Sequence, residues 1–140
     1  MKKLILGLLA AFLMSTGLVA TISSAPAQAI CGNPQYPDCR ATVTTLKSSP
    51  AGNGPKRRTF TTTVKTVGSN AKPVGTVTFR FKRVGGPAQF ATRTVPTSGK
   101  IVLARTFNAK GTWNVRVTYN ARPNTIFKSS QSPNVQFKVR

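Results

Sequence analysis

The chain has 140 residues, among them 21 lysines and arginines, a single acidic residue and no histidine, so its formal net charge is +20. Such a surface repels other basic proteins and concentrates near polyanions, which predicts a partner of negative charge. The composition argues against most enzyme chemistry, because the usual general bases and the paired carboxylates of glycoside hydrolases are lacking.

The first 29 residues have the pattern of a secretory signal peptide. Lys2 and Lys3 form a positive start, residues 4–19 are mostly apolar, and residues 27–29 supply a small-residue cleavage site. A transmembrane anchor is the alternative, but the apolar run falls short of the roughly 20 residues that span a bilayer and contains glycine, serine and threonine. We therefore predict cleavage after residue 29, secretion to the extracellular side or the cell wall, and a mature chain without a transmembrane segment.

Residues 30–40 form a short arm that carries both cysteines. Cys31 and Cys39 enclose a segment with two prolines, and a local disulfide is expected in an exported protein. Metal binding is the competing interpretation, but four ligands cannot be assembled without histidine and with Asp38 as the single carboxylate. We therefore predict a disulfide-closed loop, no bound metal and no cofactor.

Residues 41–140 alternate apolar and polar side chains and are punctuated by glycine and proline. This period of two, rich in threonine and valine, is typical of short antiparallel strands with one buried face. The side chains assigned to the interior are Phe60, Thr62, Val64, Val77, Phe79, Phe81, Ile101, Leu103, Phe107, Trp113, Val115, Val117, Tyr119, Val135, Phe137 and Val139. A single domain with about seven such strands predicts an all-β sandwich.

Several of these segments, in this order, resemble the bacterial immunoglobulin-like repeat domains of secreted and surface proteins. Residues 73–79 resemble the family's P-x-G-T-V-T-F strand, and residues 111–119 resemble its G-T-x-x-V-x-V-x-Y strand. Residues 44–50 and 59–64 are similar to its first two strands. The resemblance implies an antiparallel immunoglobulin-like β-sandwich that serves as a spacer, an adhesive stalk or a binder of glycan or protein. Such domains usually occur in tandem, whereas this chain has a single copy.

The outward side chains of three strands are predicted to form one basic face, because the third, sixth and seventh strands of an immunoglobulin-like fold share a sheet. The basic residues are Arg80, Lys82, Arg116, Lys138 and Arg140, and they are interleaved with Thr78, Asn114, Thr118 and Gln136. Guanidinium forks and hydroxyls suit phosphate or sulfate groups on a polymer. The alternative is an ordinary solvated strand surface, on which lysine and arginine deter aggregation.

A second candidate is the densest run of charge, Lys56, Arg57 and Arg58, which follows the turn-rich loop 50–55. Three consecutive basic residues in a loop form a candidate phosphate clamp. A solvated loop or a protease-sensitive site is the alternative, which we favour, because the run carries no geometric information of its own.

Stacking of bases or sugars on a protein needs exposed aromatic rings. Phe60, Phe79 and Phe81 have the parity of interior positions. Trp113 falls where the corner residue of an immunoglobulin-like fold lies, which favours packing. Tyr36, in the predicted disulfide loop, is the better candidate for an exposed ring.

Nucleophilic catalysis by serine is the reaction type that composition alone leaves open. Ser98 with Lys100, and Lys128 with Ser129 and Ser130, supply the residue types of a Ser–Lys arrangement. Neither stretch has a supporting motif, so we expect no enzyme activity.

Three classes of function remain, and we favour the first. It is a secreted, monomeric or weakly associating binding module for anionic polymers such as wall teichoic acid, acidic polysaccharide, lipid headgroups or extracellular nucleic acid. The alternative is a structural or protein-interaction domain of the cell envelope, whose charge serves solubility. The third is a cationic defence or toxin protein, which ranks last because no basic amphipathic helix is predicted.

Overall fold

The computed structural model describes residues 39–140, which contain eight β-strands. They are β1 (Thr42–Ser49), β2 (Arg57–Thr66), β3 (Gly75–Arg83), β4 (Ala88–Thr94), β5 (Lys100–Thr106), β6 (Gly111–Ala121), β7 (Ser130–Gln131) and β8 (Val135–Val139). The signal peptide, Cys31 and Tyr36 lie outside the described residues, so cleavage, the disulfide and the exposed tyrosine remain predictions. Within residues 39–140, no helix has the length and apolar character needed to cross a membrane.

The strands form two antiparallel sheets. The first has three strands in the order β1-β2-β5, and the second places β4, β3 and β6 side by side, with β7 and β8 along the far side of β6. This division is that of an immunoglobulin-like sandwich, in which the third, sixth and last strands share a sheet. The predicted all-β sandwich is therefore confirmed, as is the shared sheet.

Alternating side chains fill the space between the sheets, as the sequence pattern predicts. The core residues are Phe60, Val64, Val77, Phe79, Phe81, Val95, Ile101, Phe107, Trp113, Val115, Val117, Tyr119, Phe127, Phe137 and Val139. Thr62 is also fully buried, and its hydroxyl has no hydrogen-bond partner among the described residues. Leu103 and Val135, predicted to point inward, pack against this core while partly buried.

An aromatic cluster joins the two sheets. The ring centroid of Phe107 lies 4.8 Å from that of Trp113 and 5.2 Å from that of Phe137, both edge-to-face. Phe60 of β2 meets Phe81 of β3 across the interior at 5.4 Å. Such pairs contribute roughly 0.5–1.5 kcal/mol each beyond the burial of their area.

Side-chain hydrogen bonds anchor both ends of β6. Trp113 is buried, as predicted, and its indole nitrogen donates to the carbonyl of Ala109, four residues upstream, at 3.1 Å. At the other end, the Tyr119 hydroxyl donates to the carbonyl of Val74 at 2.8 Å. Burial of the Tyr119 phenol raises its pKa, and the hydrogen bond to Val74 opposes that rise. The long central strand is thus fixed against its neighbours.

Gly75 begins the strand whose P-x-G-T-V-T-F pattern the sequence displays. A Cβ at this position would lie 2.2 Å from the carbonyl oxygen of Asn120 on β6. Glycine is therefore required for β3 to pair with β6 at this end of the sheet.

The register of the larger sheet determines which side chains face outward. Phe79 of β3 pairs with Ala91 of β4 and with Val117 of β6, and Phe79 and Val117 are buried. Successive residues of a strand point to opposite faces. The row that follows, which contains Arg80, therefore points away from the core.

Candidate anion-binding site

Three basic side chains lie together at the centre of the outer face of the larger sheet. Arg80 of β3 and Arg116 of β6 are direct cross-strand partners, and both are exposed. Lys82 lies two residues further along β3 and is also exposed. The sequence predicted all three as outward residues of one face, and the structure places them so.

Lys138 and Arg140 lie apart from this central group. Asn114 of β6 pairs with Lys82 on one side and with Gln136 of β8 on the other, and the Gln136 amide donates to the Asn114 side chain at 3.2 Å. Lys138 is two residues beyond Gln136, and both it and Arg140 are exposed. Arg80, Lys82 and Arg116 therefore form a central group, Lys138 lies on the same face near the end of β8, and Arg140 follows the last residue of that strand.

Among the described residues, no acidic side chain faces these basic residues. Residues 39–140 contain neither aspartate nor glutamate. Among the described residues, the side chains of Arg80 and Arg116 make no hydrogen bond. Like charges directly opposite on adjacent strands are destabilising. Because neither side chain makes a hydrogen bond within the described residues, the pair presents up to ten N–H donors, five on each guanidinium, to the solvent.

The second candidate site differs from the expectation of a basic loop. Arg57 and Arg58 belong to β2, and only Lys56 precedes the strand. Arg57 is exposed on the outer face of the smaller sheet, opposite Thr106. Because adjacent strand residues point to opposite faces, Arg58 points into the sandwich, where it is 1% exposed. The three residues therefore cannot act together as a clamp on an external phosphate.

Arg58 is held inside by neutral groups. Its terminal nitrogens donate to the carbonyls of Pro50 at 2.6 Å and Gly52 at 2.5 Å, and its guanidinium carbon lies 4.1 Å from the centroid of the Phe137 ring. Its Nε has no partner among the described residues. Desolvation by burial lowers the pKa of Arg58. This arginine fixes the β1–β2 loop to the core and is unavailable to a ligand.

The β1–β2 loop also covers part of the edge of β8. The backbone N–H of Gly54 donates to the carbonyl of Lys138 at 2.9 Å, and the backbone N–H of Lys138 donates to the Asn53 side chain at 2.7 Å. The loop thereby determines where the end of β8 lies, and with it the position of Lys138 on the basic face.

Arg105 is the cross-strand partner of Arg58 on β5 and also points inward. Its guanidinium lies over the Phe81 ring at 4.3 Å from the centroid, and it donates to the side-chain oxygen of Gln89 on β4. Burial lowers its pKa. Arg105 therefore links the two sheets at the edge where β4 and β5 lie.

The exposed aromatic ring of the larger sheet was not predicted. Phe90 is 63% exposed and is the cross-strand partner of Arg80. The segment that forms β4 has a single large apolar residue, so its alternation was too weak to indicate a strand. The short Val-Gly-Gly-Pro segment after β3 is typical of a hairpin turn, and it was the signal that could have indicated a following strand.

No protein-family model and no curated protein matches the sequence. The chain is similar in structure to the CARDB domain of a Pyrococcus furiosus protein, solved in complex with di-metal ions, with a TM-score of 0.45 and 15% identity over 73% of this chain and 94% of that one. It is also similar to the PKD domain of an M14-like peptidase from a Thermoplasmatales archaeon, with a TM-score of 0.43 and 14% identity over 71% of this chain and 94% of that one. These likenesses concern the fold alone. The chain is an immunoglobulin-like β-sandwich domain, a class that its own strand order defines.

Proposed function

We propose that this domain is a secreted, non-catalytic binding module for anionic polymers of the cell envelope or the extracellular space. Arg80, Lys82 and Arg116 form the centre of its binding face, and Lys138 and Arg140 extend it. The resemblance of the sequence to bacterial immunoglobulin-like repeat domains supports a surface or secreted role. Polymers with repeated phosphate, sulfate or carboxylate groups are the ligand class.

The observation that carries the proposal is the direct pairing of Arg80 with Arg116 on an exposed face, without a carboxylate side chain among the described residues to pair with either. A polyanion would remove the repulsion between the two guanidinium groups and would accept hydrogen bonds from both. Its bound counterions would be released on contact, so affinity should fall steeply as salt is raised. A merely solubilising charge requires no such pairing.

The test measures the binding of inorganic polyphosphate and of purified cell walls to the mature protein across a salt series. The variant Arg80→Gln/Arg116→Gln removes the paired charges, and it is compared with Lys47→Gln/Arg57→Gln, which removes two exposed charges from the other sheet. We expect the first variant to lose most of the affinity and to lower the slope of log K against log salt by about 2. The second variant should bind nearly as the parent does.

Two results would contradict the proposal. Equal weakening in both variants would mean that net charge, rather than the arginine pair, determines binding. An absence of binding by the parent protein at low salt would remove the proposed function altogether. Unfolding curves of both variants establish beforehand that the comparison is made between folded proteins.

The free edge of β4 favours protein interaction as a second function. Within the described residues, β4 pairs only with β3, and an unpaired edge can accept an extended segment of another protein. Binding of this kind should survive salt of about 1 M, at which exposed charges are screened within about 3 Å. Retention on cell envelopes at that salt, unchanged by Arg80→Gln/Arg116→Gln, would favour this function over the first.

A further inference from the structure

One row of side chains crosses the outer face of the larger sheet and combines an aromatic ring with two guanidinium groups. Phe90 of β4 is opposite Arg80 of β3, which in turn is opposite Arg116 of β6. Phe90 differs from the other large apolar side chains that are exposed in residues 39–140. Those others are Val43, Val67, Val74, Val84, Val102 and Ile126, all aliphatic.

The phenyl ring of Phe90 is open to a ligand. It is 63% exposed, and within the described residues no other aromatic ring or guanidinium group stacks on it. The guanidinium groups that do stack on rings belong to Arg58 and Arg105, and they lie over interior rings. An exposed phenyl group is unfavourable in water, so this position is one at which a ligand ring would be stabilised.

The spacing of the row suits a ligand that alternates rings with negative groups. Neighbouring strands lie about 4.8 Å apart, so the Cα atoms of Phe90 and Arg116 are separated by about 10 Å. The adjacent rows supply hydroxyl and amide groups. They contain Thr92, Thr78 and Thr118 on one side and Ala88, Lys82 and Asn114 on the other. The polar groups of these adjacent rows are close enough to contact the backbone of a bound polymer or the polar edge of its ring.

We infer that Phe90, Arg80 and Arg116 form a binding site for single-stranded nucleic acid, with one unpaired base stacked on Phe90 and the neighbouring phosphates on the two arginines. The inference rests on the proposed function, because it names one class among the anionic polymers. Single strands offer exposed base faces for stacking together with regularly spaced phosphates. Duplexes hide those faces, and lipid headgroups lack an aromatic ring. The sugar rings of teichoic acids and acidic polysaccharides can pack on a phenyl group, but they lack the flat π-face that every base has.

The test measures, by fluorescence anisotropy, the affinity of the mature protein for a labelled single-stranded oligodeoxynucleotide. Phe90→Leu keeps an apolar side chain of similar size but removes the ring, and we expect it to weaken binding by about tenfold, the loss typical of one base stack. Phe90→Trp keeps a stacking surface and should bind at least as tightly as the parent. Its added indole should be quenched by the oligonucleotide, whereas Trp113 is buried and should contribute a constant background.

Inorganic polyphosphate separates the inference from the function on which it rests. Polyphosphate has negative groups without rings, so Phe90→Leu should leave its affinity unchanged, while Arg80→Gln/Arg116→Gln should weaken the binding of both ligands. Oligonucleotide binding that is unchanged in Phe90→Leu, with polyphosphate binding intact, would overturn the stacking site and keep the proposed function. If Arg80→Gln/Arg116→Gln bound the oligonucleotide and polyphosphate as tightly as the parent does, both the stacking site and the proposed function would be overturned.

Two further ligands distinguish the other sources of negative charge. Duplex DNA of equal charge and vesicles of anionic phospholipid should bind more weakly than the single strand, and Phe90→Leu should not change their affinity. If Phe90→Leu weakened vesicle binding as strongly as it weakens oligonucleotide binding, the row would instead be a binding site for a membrane surface. Absence of indole quenching in Phe90→Trp would contradict the stacking site by a measurement that does not depend on the leucine variant.

Discussion

Two pairs of arginines, one inside the sandwich and one outside, are each aligned across neighbouring strands. Arg58 and Arg105 are partners in the smaller sheet and point inward, whereas Arg80 and Arg116 are partners in the larger sheet and point outward. The inner guanidinium groups diverge, because Arg58 stacks on Phe137 of β8 and Arg105 on Phe81 of β3, and both donate hydrogen bonds to neutral oxygens. The outer pair has no such partners within the described residues.

Arginines in similar registers thus have different surroundings in the two sheets. Inside, the guanidinium groups stack on aromatic rings of the core, and that of Arg58 donates hydrogen bonds to backbone carbonyls, so these arginines stabilise the fold. Outside, no described residue accepts a hydrogen bond from Arg80 or Arg116, so the donors of both guanidinium groups face the solvent. Net charge alone would not distinguish the two pairs.

Removal of the inner arginine with the most contacts should have the largest effect. Arg58→Ala deletes packing against Phe137 and releases the β1–β2 loop, and we expect it to lower the free energy of unfolding by about 3 kcal/mol. Arg58→Met keeps most of the volume without a buried charge and should cost no more than about 1 kcal/mol. Urea unfolding measures both. Equal losses in the two variants would mean that the hydrogen bonds to the loop, rather than packing, provide the stabilisation.

Arg105 should matter less than Arg58, because it is only partly buried. Arg105→Ala removes the contacts with Phe81 and the link to Gln89, and we expect a loss of about 1.5 kcal/mol in the free energy of unfolding. Gln89→Ala serves as the control, since it removes the hydrogen bond but keeps the ring contact. A loss in Gln89→Ala as large as that in Arg105→Ala would assign the effect to the inter-sheet hydrogen bond.

A pH series tests the contribution of the buried tyrosine of the core to stability. The pKa of Tyr119 is raised in the folded protein, so the folded state holds this proton more tightly than the unfolded state does. Stability should be constant near neutral pH and should fall above about pH 10, where the tyrosine of the unfolded chain ionises. Tyr119→Phe should lose about 1 kcal/mol with the hydrogen bond to Val74 and should abolish most of this decline. A decline that persists unchanged in Tyr119→Phe would have to come from another group.

Mutation of the outer pair should have the smallest effect on stability, and of opposite sign. Arg80→Thr removes the like-charge contact with Arg116, and we expect a gain of about 0.5 kcal/mol at low salt that vanishes at high salt. Arg57→Thr is the matched control, because Arg57 faces the uncharged Thr106, and it should change stability little. A destabilised Arg80→Thr would show that Arg80 has a structural role that the proposal does not include.

Most of the fold could be predicted from the sequence because apolar alternation is strong on the central strands. The residues of β3 and β6 alternate large apolar side chains with polar ones over most of their length, and the structure buries the expected side chains. The parity of these strands also placed Arg80 and Arg116 outside. The fact that they are direct partners could not be predicted, because strand register depends on the hairpin geometry of the folded sheet.

Two features of the site could not be predicted, for different reasons. The edge strand β4 has little apolar surface to bury, so the sequence around Phe90 showed no alternation of apolar and polar residues. Arg58 lies two residues before Phe60 on the same strand and therefore points inward. In the sequence, however, the run Lys56-Arg57-Arg58 has the composition of a solvated loop. Only the contacts with Phe137 and the loop carbonyls explain how its charge is accommodated.

We propose that the outer pair of arginines, and not the inner pair, binds an external anion. The most direct test is a titration of isotope-labelled mature protein with inorganic polyphosphate, in which the side-chain Nε–H signals of the arginines are followed by NMR. We expect the signals of Arg80 and Arg116 to shift together and saturate, while those of Arg58 and Arg105 stay unchanged. Uniform small shifts at all exposed arginines, or no shift at Arg80 and Arg116, would contradict it.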